Sequence, residues 1–151
     1  MPIATNSDKI DLSSEKKTEE LADKILKKLK IGDVVFLYGE IGVGKTTFIK
    51  YLINGFQKEN KLKLTEVTSP TFTLLNEYQI NHIRINHYDL FRLKSLEEIE
   101  NLGLFENNKN LITLIEWPQI IKKKPKSLIE LNFKYEDDHK KRSAQIKGLN
   151  L

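Results

Sequence analysis

The chain has 151 residues, the size of one domain and enough to bury a substantial core. With 39% hydrophobic and 30% charged residues it is too apolar to stay disordered, and the absence of cysteine excludes disulfides, zinc thiolate sites and a thiol nucleophile. The net charge of +4 permits an anionic partner without requiring one; Met1 to Asp11 carries no apolar core of signal-peptide length and no stretch is long and apolar enough to span a bilayer, so the expectation is a cytoplasmic protein with no membrane partner.

In chain order, Ser13 or Ser14 is placed to cap a first helix whose apolar face is Leu21, Ala22, Ile25, Leu26 and Leu29, ending before Gly32. Val34 to Tyr38 is a five-residue apolar run rich in β-formers, which reads as a strand buried on both faces. It runs into a glycine loop, after which Phe48, Ile49, Leu52, Ile53 and Phe56 give helical periodicity, with Asn54 and Gly55 as the stop. Thr73 to Tyr88 alternates on either side of Asn81 and His82, predicting an antiparallel hairpin. Ser95 with Glu98 makes a capping box for a brief helix ended by Gly103. Leu111 to Ile115 is a second buried strand, closed by Glu116, Trp117 and Pro118. Leu128 to Tyr135 and Ala144 to Leu149 complete the strands, with the polar stretch Glu136 to Arg142 between them. There is no internal repeat and no Pro- or Gly-rich linker, so residues 1–151 are read as a single α/β domain with a mixed sheet.

The strongest chemical signal is Gly39-Glu40-Ile41-Gly42-Val43-Gly44-Lys45-Thr46, a complete G-x-x-x-x-G-K-[ST] phosphate loop between a predicted strand and a predicted helix. Its glycines let successive N–H groups turn toward phosphates, and the helix start adds its positive dipole end. Lys45 neutralises β- and γ-phosphate charge, and the Thr46 hydroxyl is a magnesium ligand. ATP with magnesium is the expected ligand. Magnesium in such sites needs a further acid at the end of a neighbouring strand, and Glu116 stands there. Glutamate also has the reach to orient an attacking water, and the sequence leaves base and metal support open. Asp89, at the end of the preceding strand, is the next candidate for holding a water.

His87 alternates with Ile83 and Ile85, which favours a core position over one beside the phosphates. Ser69, Thr71 and Thr73 supply hydroxyls in a segment stiffened by Pro70, suited to sensing a γ-phosphate or simply to starting a strand. Trp117, next to the candidate metal ligand Glu116, is suited to pack on the site or to plug the core, with the core as the default. The basic runs around Lys122–Lys126 and His139–Arg142 lack interleaved aromatics and read as solvated surface.

Four segments taken together resemble the TsaE (YjeE) family of bacterial ATPases needed for threonylcarbamoyladenosine modification of tRNA: GDVVFLYGEIGVGKTT from Gly32, VTSPTFTLLNEY from Val67, HYDLFRL from His87 with the later LGL, and IEWP from Ile115. The resemblance implies a P-loop NTPase-like three-layer sandwich with a mixed, mainly parallel central sheet. It also implies weak ATP hydrolysis that serves a complex of two partners, TsaB and TsaD. TsaD installs the modification at adenosine 37 of tRNAs reading codons that begin with A, so tRNA is an indirect partner and the chain alone a monomer. By the same resemblance, Glu40, Ile41, Gly42, Val43, Gly44, Lys45, Thr46 and Thr47 match phosphate contacts, and Thr46 and Glu116 match the magnesium positions. Asp89 and Trp117 match positions important for activity, and Ser69 to Thr73 match a switch-like segment. The region from Glu136 onward carries no motif of the family, which leaves an adenine or ribose contact such as Arg142 unassigned.

Two other classes share the cradle. A small-molecule P-loop kinase would use lid arginines and a long acceptor insertion, whereas this chain has only Arg84, Arg92 and Arg142. A GTP-driven switch would carry an Asn-Lys-x-Asp guanine reader, and Asn108-Lys109-Asn110-Leu111 lacks the aspartate.

Overall fold

The computed structural model describes residues 9–151. The expectation of no apolar leader falls largely on residues 1–8, outside those described. Apolar runs along the middle strands Val34–Tyr38 and Ile112–Glu116 build the fold outward from a sheet whose centre is buried on both faces. β1 (Ile10–Asp11), β2 (Val34–Tyr38), β3 (Leu75–Ile80), β4 (Ile83–Asp89), β5 (Ile112–Glu116), β6 (Leu128–Glu136) and β7 (Lys141–Lys147) form one sheet in the order β1-β7-β6-β2-β5-β4-β3. The central strands β6, β2, β5 and β4 run parallel, and the pairs β1–β7, β6–β7 and β3–β4 are antiparallel. The antiparallel pairs β3–β4 and β6–β7 are hairpins, β1 joins β7 from the other end of the chain, and the parallel centre needs longer crossovers.

Helices α1 (Glu15–Leu26) and α2 (Lys45–Glu59) pack on one face. Leu21, Ala22, Ile25 and Leu26 of α1 and Phe48, Ile49, Leu52 and Ile53 of α2 join Val35, Leu37, Ile85, Leu114 and Leu131 in one core. The opposite face gathers Val34, Phe36, Tyr88 and Ile115 with Leu90, Leu104 and Ile121, covered partly by helix α3 (Leu96–Leu102) and the short 3-10 turn Pro118–Ile120. The layers are therefore helix, sheet, helix. The local signals act as read: Ser14 caps α1 by accepting from the Lys17 N–H, and Ser95 caps α3 from Glu98. Gly103 ends α3 in the left-handed conformation.

Two expectations are corrected, and one strand had not been foreseen. Helix α2 does not stop at Asn54 and Gly55 but runs to Glu59. Gly55 faces α1, where Leu26 methyls lie about a van der Waals contact from a Cβ position, so it marks helix–helix approach rather than an end. The Asn54 amide binds Gln57 and the Thr65 carbonyl and pins the following loop. The last strand begins at Lys141, three residues before Ala144, because its polar N-terminal part pairs with Tyr135 and Glu136 at the sheet edge. β1 had no sequence signal, being two residues that hydrogen-bond to β7. Among the described residues no helix is long and apolar enough to cross a membrane.

Candidate functional site

The site forms where three parallel strands end. Register places Leu37 of β2 and Asp89 of β4 on either side of Glu116, so two carboxylates sit side by side at the C-terminal edge of the sheet. The phosphate loop leaves β2 at that edge and enters α2. Gly39 has φ +148°, and a Cβ there would lie 2.8 Å from Val43 Cγ1 and 2.9 Å from the Phe133 carbonyl oxygen; glycine lets the loop fold back against β6. Gly44, at φ +118°, caps α2 with no side-chain hydrogen bond. A fifteen-residue helix thus opens onto the cavity with its positive dipole end.

The cavity is about 310 Å³ and is lined by Ile41, Gly42, Gly44, Lys45, Thr46 and Thr47 of the loop and helix start; Ser69, Thr71, Asp89, Phe91, Glu116 and Trp117 form the facing wall. The Thr46 hydroxyl lies 3.1 and 3.3 Å from the two Glu116 carboxylate oxygens and donates to them. Lys45 is buried, gives a hydrogen bond to the Gly39 carbonyl, and stands 3.6 Å from the Trp117 ring centre. Burial pushes the Lys45 ammonium down to about 8, against the opposing pull of Glu116 and then Asp89. Asp89 is buried as well: Ser69 and Thr71 hydroxyls donate to its Oδ2, and the Phe91 N–H donates to Oδ1 at 2.9 Å. Three donors leave a carboxylate acceptor room for about one more.

Trp117 is half-buried and packs against the second hydrophobic cluster, as its residue type suggested, and it also lines the cavity. It has left-handed backbone angles of 59° and 55°, its N–H bonds to the Leu37 carbonyl, and its ring meets Phe91 at 4.8 Å beside Lys45. Glu40 and Val43 stand off the cavity. Glu40 is exposed and 3.8 Å from His139, while the Val43 side chain enters the core. The hairpin joining β6 and β7 backs the loop: the Tyr135 hydroxyl donates to the Ile41 carbonyl, and an Arg142 guanidinium nitrogen lies 3.9 Å from a Cβ position on Gly44.

Sequence reasoning missed two neighbours. Phe91 carries no separate signal. His87 is fully buried, as its alternation with Ile83 and Ile85 implied, but its Nε2 is 2.7 Å from Glu116 Oε2. The clue lay in spacing: two residues before Asp89 on a strand, His87 shares its face.

The residues present fit a magnesium nucleotide. The donor set of hydroxyl and carboxylate oxygens suits a hard cation, and no group of three or more His, Asp or Glu among the described residues is arranged to hold a metal unaided. Two protein oxygens with the remaining positions taken by phosphate and water is the arrangement magnesium prefers.

The family model described as threonylcarbamoyl adenosine biosynthesis protein TsaE matches residues 12–144. The chain belongs to the TsaE family. A family member from Rickettsia bellii, named tRNA threonylcarbamoyladenosine biosynthesis protein TsaE, is 47% identical over 131 residues, covering 86% of this chain and 88% of its own. Another of that name from Aquifex aeolicus is 35% identical over 131 residues, covering 87% and 90%. The crystal structure of Bacillus subtilis YdiB matches in fold, with a TM-score of 0.73, 22% identity and coverage of 99% of this chain and 90% of that one. Every segment of the cavity lies within the span that the TsaE family model matches.

Proposed function

We propose that this TsaE-family protein binds ATP with magnesium in the Gly39–Thr46 cradle and hydrolyses it weakly. Hydrolysis would serve threonylcarbamoyladenosine formation at adenosine 37 of tRNAs reading codons that begin with A, through the TsaB–TsaD complex, with the transfer chemistry done by TsaD. The observation that carries the reading is the Thr46 hydroxyl on the Glu116 carboxylate at the mouth of a helix that begins with a buried lysine. Magnesium, when bound by Thr46 and Glu116, would supply charge neutralisation at the β- and γ-phosphates.

The chain's own residues do the rest. Lys45 holds the phosphates by charge, and with burial that charge acts in a less screened environment. Asp89 has one acceptor position left to orient a water, and would gain two more if Ser69 and Thr71 turned from it to a γ-phosphate oxygen. Trp117 and Phe91 wall the reacting phosphate from bulk solvent.

The test is ATP turnover without an acceptor, measured alone and then with TsaB and TsaD. Slow hydrolysis that rises with the partners is expected. Hydrolysis indifferent to them would overturn the assignment.

A further inference from the structure

His87 takes no part in the scheme above, yet it makes a closer contact to Glu116 than Thr46 does: 2.7 Å from Nε2 to Oε2, against 3.1 Å from the hydroxyl to Oε1. Both residues are buried. Two acceptors at that separation repel, so Nε2 carries a hydrogen and donates. The other ring nitrogen, Nδ1, is buried with no hydrogen-bond partner, which suits an unprotonated nitrogen better than an orphaned N–H. As a core filler this ring is a poor choice: it buries a polar atom with nothing to satisfy it, where Ile85 on the same face does not. What the ring supplies is a fixed donor to one oxygen of a carboxylate that the Thr46 hydroxyl, at 3.1 and 3.3 Å from its two oxygens, does not by itself tell apart.

We propose that His87 is a positioning residue. It grips Glu116 by Oε2 and thereby turns Oε1 to the Thr46 hydroxyl and the phosphate loop. The inference rests on the reading of Thr46 and Glu116 as magnesium ligands. It adds that the metal-facing edge of the acid is set from the neighbouring strand β4, the strand that also carries Asp89. One strand then orients both acids of the site, Asp89 by its own backbone and Glu116 through the imidazole.

The experiment is ADP affinity by calorimetry, in EDTA and across a magnesium series, so that no turnover is needed. In the wild type, magnesium is expected to tighten ADP binding. His87→Leu is expected to raise the magnesium concentration for half-maximal tightening by about tenfold or more, the usual effect of losing an outer partner of a metal ligand, with affinity in EDTA unchanged. His87→Gln carries an amide N–H near the Nε2 position and should stay within about threefold of wild type. In a Glu116→Ala background, His87→Leu should shift nothing further, since the two act through one carboxylate. Should His87→Leu melt below the assay temperature, His87→Asn, polar but too short to reach Oε2, takes its place with the same expectation.

A wild-type magnesium midpoint in the Leu or Asn variant, a Gln variant as impaired as Leu, or an equal shift in the Glu116→Ala background would each overturn the inference. If the wild type itself binds ADP identically with and without magnesium, the metal reading falls and the inference with it. If the wild type and Glu116→Ala differ as expected and His87→Leu matches the wild type, the inference alone falls.

Discussion

Two buried carboxylates on one rung of a sheet repel, and the site shows what offsets the repulsion. Asp89 takes three donors, Glu116 takes a hydroxyl and an imidazole, and the Lys45 ammonium stands near both. Lys45 is the cation of the site, and its burial shifts its proton affinity. Burial lowers it from an ordinary 10.5 to about 8 in the free protein, and bound phosphates raise it again. Nucleotide binding above about 8 must therefore take up a proton, which grows harder as pH rises. Affinity for ADP should be flat below about pH 8 and then fall by up to tenfold per pH unit, read by calorimetry. Asp89→Ala should cut ATP hydrolysis by about 100-fold or more while ADP still binds, since the phosphate contacts lie elsewhere. Glu116→Ala should lose hydrolysis as well as the magnesium dependence of binding. Normal turnover in Asp89→Ala would show that it orients no water. Lys45, Thr46, Glu116 and Asp89 were legible because loop motif and strand ends fix where they stand. The place of Trp117 beside Lys45 depends on a left-handed turn after Glu116, which no residue pattern signals.

At the level of elements, the caps and the positions where helices touch decide what substitutions do. Gly55 lies inside α2, and a Cβ there would sit 3.5 and 3.6 Å from Leu26 methyls, an ordinary contact. Gly55→Ala should stabilise the protein by about 0.5–1 kcal/mol in urea unfolding, because alanine costs less entropy in a helix interior. Ser14→Ala removes the acceptor for the Lys17 N–H and should cost about 1 kcal/mol by the same measurement. The sequence misread Gly55 for a reason these numbers express: a glycine that admits a neighbouring helix and one that ends a helix look alike in one dimension. Ser14, Ser95 and Gly103 were legible because a cap acts within a few residues of chain. Gly39 is glycine for a contact with Phe133, nearly a hundred positions away, which only the fold brings together.

For the whole molecule, the parallel centre was legible as apolar runs, and the order of strands was not, because pairing between β2 and β6 spans most of the chain. β1 escaped because two residues carry no periodicity, and β7 started early because its exposed first residues, Lys141 and Arg142, continue the ladder with β6 past the two residues that pair with β1. Cells depleted of this protein should lose threonylcarbamoyladenosine from their tRNA by nucleoside mass spectrometry, and unchanged levels would remove the biological part of the proposal. The rung that joins Leu37, Glu116 and Asp89 has a further effect on how this protein fails. A one-residue slip of β5 would send Glu116 to the opposite face of the sheet, among Phe36 and Tyr88, and bring Ile115 to the phosphate loop. Molecules with imperfect strand pairing would then be inert rather than partly active, so specific activity in a preparation would count correctly assembled sheets.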